Sequence, residues 1–225
     1  MIGPYLKAMA QALDPRFRKV LMRSLAATLA TFVGLWGLVW LLVARTRIFE
    51  SGWLEGISDA FGGLFAIALT WLLFPAVVGM VMSLFIEDVA DAVEERHYPE
   101  LGPARRQNLG EILWTTARFT AVLILVNLLV LPIYLIPVLN VIVFYVINAA
   151  LLGREYFELA ACRRLPVAEA DRLRRANRLG IFLAGGPAVF LFTVPIVNLV
   201  APILTTAALV HVFHGLRARS AKPAA

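Results

Sequence analysis

Two short stretches place the same polar amide in the same apolar setting. Ile136–Asn140 reads IPVLN and Val194–Asn198 reads VPIVN, 58 residues apart. Proline breaks or kinks a helix because it lacks the N–H and its ring crowds the preceding turn. An asparagine three residues on carries a donor and an acceptor on one amide. Pro137 with Asn140, and Pro195 with Asn198, could therefore line a polar path for a small solute. The competing role is local: an Asn beside a helix break can cap the backbone groups that the break frees. Two equivalent breaks in one chain fit the internal repeats on which many transporters are built. Asn127 and Asn148 are further amides in apolar sequence, where such groups more often join helices.

Other residues offer less chemistry. Arg16, Arg18, Lys19 and Arg23 precede or open the first long apolar run, where basic side chains fix orientation and meet acidic lipid head groups. His211 and His214 stand at i, i+3, a spacing open to metal binding or pH sensing. No Cys or carboxylate lies near them in sequence, so an interfacial helix end is expected and no metal site. Cys162 has basic neighbours, which lower a thiol pKa, yet it reads as incidental. As the single cysteine, it permits neither an internal disulfide nor a Cys-based metal cluster. There is no phosphate loop, dinucleotide fingerprint or nucleophile elbow. The sequence therefore gives no ground for an enzyme or for a cofactor.

The elements around these residues are apolar throughout. Sixty per cent of the 225 residues are hydrophobic and 16% are charged, with mean hydropathy +0.80. Soluble domains are about half apolar and about a quarter charged, so an all-α, polytopic integral membrane protein is expected. The net charge of +6 would raise nucleic acid as a partner of a soluble protein. Here it reads as basic loops beside membrane lipid, without nucleic acid. Residues 1–19 form an amphipathic N-terminal segment, with Tyr5, Leu6, Met9 and Leu13 on one face, expected on the membrane surface. Asp14-Pro15 has the pattern of an N-cap followed by Pro at the first helical position. Residues 20–44 and 61–86 are long enough to span, the second kinked near Pro75. The first is too long for a cleavable signal core and is expected to be retained. Residues 87–118 make a cytoplasmic helical region, whose stretch Phe85–Arg96 pairs an apolar stripe with a solvated acidic face. Residues 119–153 and 181–213 form two shorter hairpins, partly inserted, because most of their limbs fall below the roughly 20 residues that a bilayer core requires. Residues 214–225 are a flexible tail, and the whole chain is one membrane domain.

Loop charge sets the expected topology. Of 21 Lys and Arg, two lie in the loop 45–59, while every other charged segment holds three or more. The positive-inside rule puts that loop outside and both termini in the cytoplasm. Each hairpin then enters and leaves on the cytoplasmic side.

Leu131–Phe213, taken with Phe85–Arg96, resembles the CysZ-type sulfate permease family, whose shared domain is called etoposide-induced-protein-like. The resemblance rests on the paired Ile/Val-Pro-x-x-Asn turns with Pro202, Glu155-Tyr156, the basic segment Arg163–Arg178, and Gly185-Gly186. It implies a bacterial inner-membrane permease, often oligomeric, that takes up sulfate for cysteine synthesis. It also implies an anion site around Pro15, Arg16, Phe17, Arg18 and Lys19. A helix N-terminus with flanking cations suits a tetrahedral oxyanion. Arg16 replaces the family's glycine, Lys19 replaces its second arginine, and Asp14 stands where it would cap the same N–H groups. These departures keep open an alternative: a membrane scaffold or assembly factor that uses the same fold without transport.

Overall fold

The computed structural model describes residues 2–11, 14–45, 64, 68, 85–105 and 107–220. The expected spanning segment 61–86, the Pro75 kink and the loop 45–59 lie largely or wholly outside those residues. Helices α1 (Ile2–Gln11), α2 (Pro15–Arg45), α4 (Leu109–Val130), α5 (Pro137–Cys162), α6 (Val167–Ala176), α7 (Arg178–Thr193), α8 (Pro195–Asn198) and α9 (Ala201–Ser220) follow in order. Residues 85–97 form a further helix, α3. No strand occurs among the described residues, and the all-α class is as expected. The chain divides into two units, one of residues 1–18 and 88–225, the other of residues 19–87.

Among the described residues, three helices are long and apolar enough to cross a membrane: α2 over Pro15–Leu41, α4 and α5. Several boundaries differ from those read in the sequence, and charge pairing explains most of them. The first spanning helix starts at Pro15, as the Asp14-Pro15 pattern indicated and five residues before the apolar segment 20–44, because the Asp14 carboxylate accepts from the Arg16 N–H at 3.0 Å. The first hairpin extends at both ends, to Leu109 and Cys162. Asn108 caps α4 by accepting from the Glu111 N–H at 2.7 Å, and Glu111 pairs with Arg105 at 2.9 Å. In α5, Arg154 and Glu158 pair one turn apart at 3.1 Å. Helix therefore persists where hydropathy falls, and α4 and α5, at about 33 and 39 Å, are not too short to cross. In the second hairpin α7 has 16 residues, about 24 Å, and stays short. Residues 214–220, expected as flexible tail, continue α9, because His214 and Leu216 extend its buried side. Residues 221–225 lie outside the described part.

The larger unit is built on α5, α7 and α9. A Cβ placed on Gly185 would collide with the backbone of Ala149 and Gly153, and one on Gly153 would sit 2.5 Å from the Ile181 carbonyl oxygen. Helices α5 and α7 thus meet backbone to backbone at Ala149-x-x-x-Gly153 and Ile181-x-x-x-Gly185, the small-residue contact that lets helices associate in lipid. On α9, Phe213 packs edge-on against Phe157 of α5, with centroids 6.1 Å apart. Helix α1 is tied into this core and not simply laid on a surface: Tyr5 and Ala8 are buried, and the Tyr5 hydroxyl donates to the Ala184 carbonyl at 2.8 Å. Leu6 and Met9 point outward. Helices α6 and α7 bend by 89° at Asn177.

Gly185→Val is expected to destabilise the protein in detergent by about 3 kcal/mol, since backbone cannot retreat as a side chain can. Gly186→Ala, with nothing within 4 Å of its Cβ, is expected to be neutral or mildly stabilising. Thermal unfolding of the two variants beside the parent checks this.

Candidate functional site

Of the residues around which an anion site is implied, the four that follow Pro15 separate into different environments. Phe17 is fully buried. Arg16 is paired with Glu95 of α3, and Arg96 pairs with Asp14 at 2.8 Å. Asp14 also occupies the first free N–H of α2. Arg18 and Lys19 are exposed and have no acidic partner among the described residues. The helix start is therefore partly neutralised by Asp14 and Glu95, whereas Arg18 and Lys19 just beyond it in α2 meet no carboxylate among the described residues.

The two proline breaks share one local geometry. The residue before each proline is extended, Ile136 at φ −100°, ψ 107° and Val194 at φ −86°, ψ 115°, as a following proline favours. Each asparagine N–H then closes the first helical bond, Asn140 to Ile136 and Asn198 to Val194, both at 2.8 Å. The equivalence ends there. Helix α5 runs on for 26 residues, whereas α8 stops after four. The N-cap of α5 is Ile136, and it makes no side-chain cap hydrogen bond. Asn140 is the fourth residue of the helix and is half-buried, and Asn198 is exposed; neither amide side chain has a hydrogen-bond partner among the described residues. Asn127 and Asn148 donate to the carbonyls one turn back, at Leu123 and Phe144.

One buried polar assembly was not legible in the sequence. Glu94 of α3, read as part of a solvated acidic face, is 4% exposed. Arg164 donates to both of its oxygens at 3.0 and 2.7 Å, and His214 Nε2 lies 3.0 Å from Oε1. Arg163 sits 3.5 Å away and pairs with Asp91. Tyr98 stacks on His214 at 4.1 Å, and its hydroxyl lies 3.1 Å from His211 Nδ1. The two histidines are thus buried members of a hydrogen-bonded cluster joining α3, the α5–α6 turn and α9. Burial pushes the Glu94 carboxyl up. The hydrogen bonds from His214 and Arg164 and the charges of Arg164 and Arg163 outweigh it and hold the group down at about 2. One signal could have shown this: Glu94 follows Ala90 by one turn, and Ala90 lies beside Val89 and Val93 on the apolar side of α3.

A second cluster joins α4, α5 and α6. Asp171 meets Arg118 at 3.0 Å and Arg174 and Arg175 at 2.6 Å each, and Arg174 also reaches Glu158 at 3.0 Å. Burial acts against the Asp171 carboxylate, but hydrogen bonds from Arg175, Arg174 and Arg118 keep it well below the usual range. Tyr156 is buried, its ring 6.2 Å from Phe192. Glu155 lines a cleft of about 150 Å³ with Glu158 and Cys162.

The family model described as Sulfate transporter CysZ/Etoposide-induced protein 2.4 matches residues 5–202. The chain belongs to this family. The match covers nearly the whole chain, from α1 into the first turn of α9, and so takes in both proline breaks, the Gly153–Gly185 crossing, the Asp171 cluster and, of the Glu94 cluster, all but His211 and His214. No curated protein matches the chain. With three helices fit to span among the described residues, this member of the CysZ/etoposide-induced protein family is a multi-pass membrane protein.

Because Glu94 is held ionised, its contribution is present above the ordinary carboxyl value of 4.5 and is lost as pH falls towards about 2. Unfolding followed by tryptophan fluorescence is expected to show stability falling through that window. Glu94→Gln is expected to cost about 3 kcal/mol at pH 7 and to lose that part of the acid dependence.

Proposed function

We propose that the protein is a permease for a small oxyanion, sulfate or a close analogue, in the bacterial cytoplasmic (inner) membrane, where it supplies sulfur for cysteine synthesis. The observation that carries this reading is the family match over residues 5–202, from α1 into the first turn of α9. Arg18 and Lys19 support it: two exposed cations early in α2, without an acidic partner among the described residues, can hold an oxyanion by charge-assisted hydrogen bonds. Arg16 contributes less, because Glu95 already occupies its guanidinium, and Phe17 packs inside and positions the helix.

The competing reading is a scaffold or assembly factor with the same fold. Asp14 favours it: its carboxylate takes the N–H that an anion would use. Proteoliposomes separate the two. Sulfate influx above that of empty vesicles is expected, with binding weakened at least tenfold in Arg18→Ala/Lys19→Ala, about 1.4 kcal/mol. No flux and equal binding by parent and variant would establish the scaffold.

The orientation proposed has both termini in the cytoplasm, from the loop-charge asymmetry, and the chain is proposed to act as a homo-oligomer. Ser220→Cys, exposed at the end of α9, is then labelled by an impermeant thiol reagent only after the cytoplasmic face is opened. The native Cys162 is buried and stays silent. Labelling from the periplasmic side of intact cells would reverse the topology.

A further inference from the structure

We propose that the cleft between α4, α5, α6 and α7 is a binding site for an anionic phospholipid, whose phosphate meets Arg154, Arg174 and Arg178 and whose acyl chain lies along Val122, Val126 and Ile147. The cleft has a volume of about 450 Å³ and is lined by these six residues and by four more apolar ones. Its charged side chains are all cationic. Glu158 and Asp171, which pair with Arg154 and Arg174, do not line it. Arg178 is exposed and has no acidic partner among the described residues. The Nη2 of Arg154 is buried and lacks an acceptor, so one strong donor beside the cleft is unmet.

Depth argues for a lipid and against a bare ion. Arg154 is the first charged residue of α5, about 25 Å along the helix from Pro137. On α4, Arg118 is the last charge before the apolar stretch that contains Val122 and Val126. The cleft thus straddles the level at which both helices pass from charged to apolar sequence. Basic pockets at that level between membrane helices suit lipid phosphates. A sulfate-sized ion would satisfy the arginines and leave the apolar wall uncovered, whereas an amphiphile satisfies both. Helix α4 is unburied over its whole spanning window, so the cleft is open to lipid.

Native mass spectrometry of the full chain released from detergent, titrated with phosphatidylglycerol or phosphatidylcholine, tests this. Phosphatidylglycerol is expected to stay bound in preference. Arg178→Gln is expected to weaken it roughly fivefold, and Val126→Trp, which fills the apolar end, to abolish retention. Circular dichroism verifies folding, and Arg178→Gln, at an exposed position, decides if Val126→Trp misfolds. Equal retention of phosphatidylcholine, or no loss in Arg178→Gln, would overturn the proposal. So would displacement by inorganic phosphate or sulfate at lipid-like concentrations, which would mark a free-anion site, or a cleft covered by a second copy in a cross-linked dimer. Sulfate flux is read separately, so a failed permease reading leaves this outcome intact.

Discussion

The closest constraint in the structure is the backbone contact of α5 with α7. Lipid gives helices no hydrophobic reason to associate, so they must gain from packing and from short-range polar contact. Gly153 and Gly185 remove the side chains that would hold the two backbones apart. The contact also sets the register of what surrounds it. Ile181, whose carbonyl touches Gly153, lines the basic cleft beside Leu151 and Arg154, and Ala184, next to Gly185, receives the Tyr5 hydroxyl that fastens α1.

Charge organises the regions beyond the apolar helices. In the two clusters, buried at Glu94 and Asp171 and reaching the surface at Asp91 and Arg175, six arginines (Arg118, Arg154, Arg163, Arg164, Arg174 and Arg175) serve four carboxylates (Asp91, Glu94, Glu158 and Asp171). Removing one partner of such a lattice leaves a charge stranded, which costs more than the pair itself contributes. The acids act as internal counterions, and the surplus of guanidinium keeps the region attractive to anions, whether a head group or a solute. In that respect the local electrostatics agree with the overall charge of +6.

The membrane class, the helical breaks at Pro137 and Pro195 and the Asp14-Pro15 helix start were all legible, because each depends on composition or on neighbours within a few residues. Helix ends were less so. Arg154 and Glu158 lower the hydropathy after Gly153, yet they pair along the same helix and extend it. The cations of the proposed site were legible as residue types, but not which of them meet a carboxylate among the described residues. Arg16 is taken by Glu95, 79 residues away, and Glu94 is covered by Arg164, 70 residues away, and by His214, 120 residues away. Such pairings depend on tertiary packing, which a one-dimensional pattern of charges does not contain.

The uncapped start of α5 has a consequence for hairpin placement. Proline at the first helical position offers no N–H, and Asn140 is already bonded to Ile136. The amides of Val138 and Leu139 are left without a side-chain cap, as at any bare helix start. In hydrocarbon each such donor would cost several kcal/mol. The bend can therefore rest only where water or a head group reaches it, and it works as a float that fixes the immersion of both attached helices.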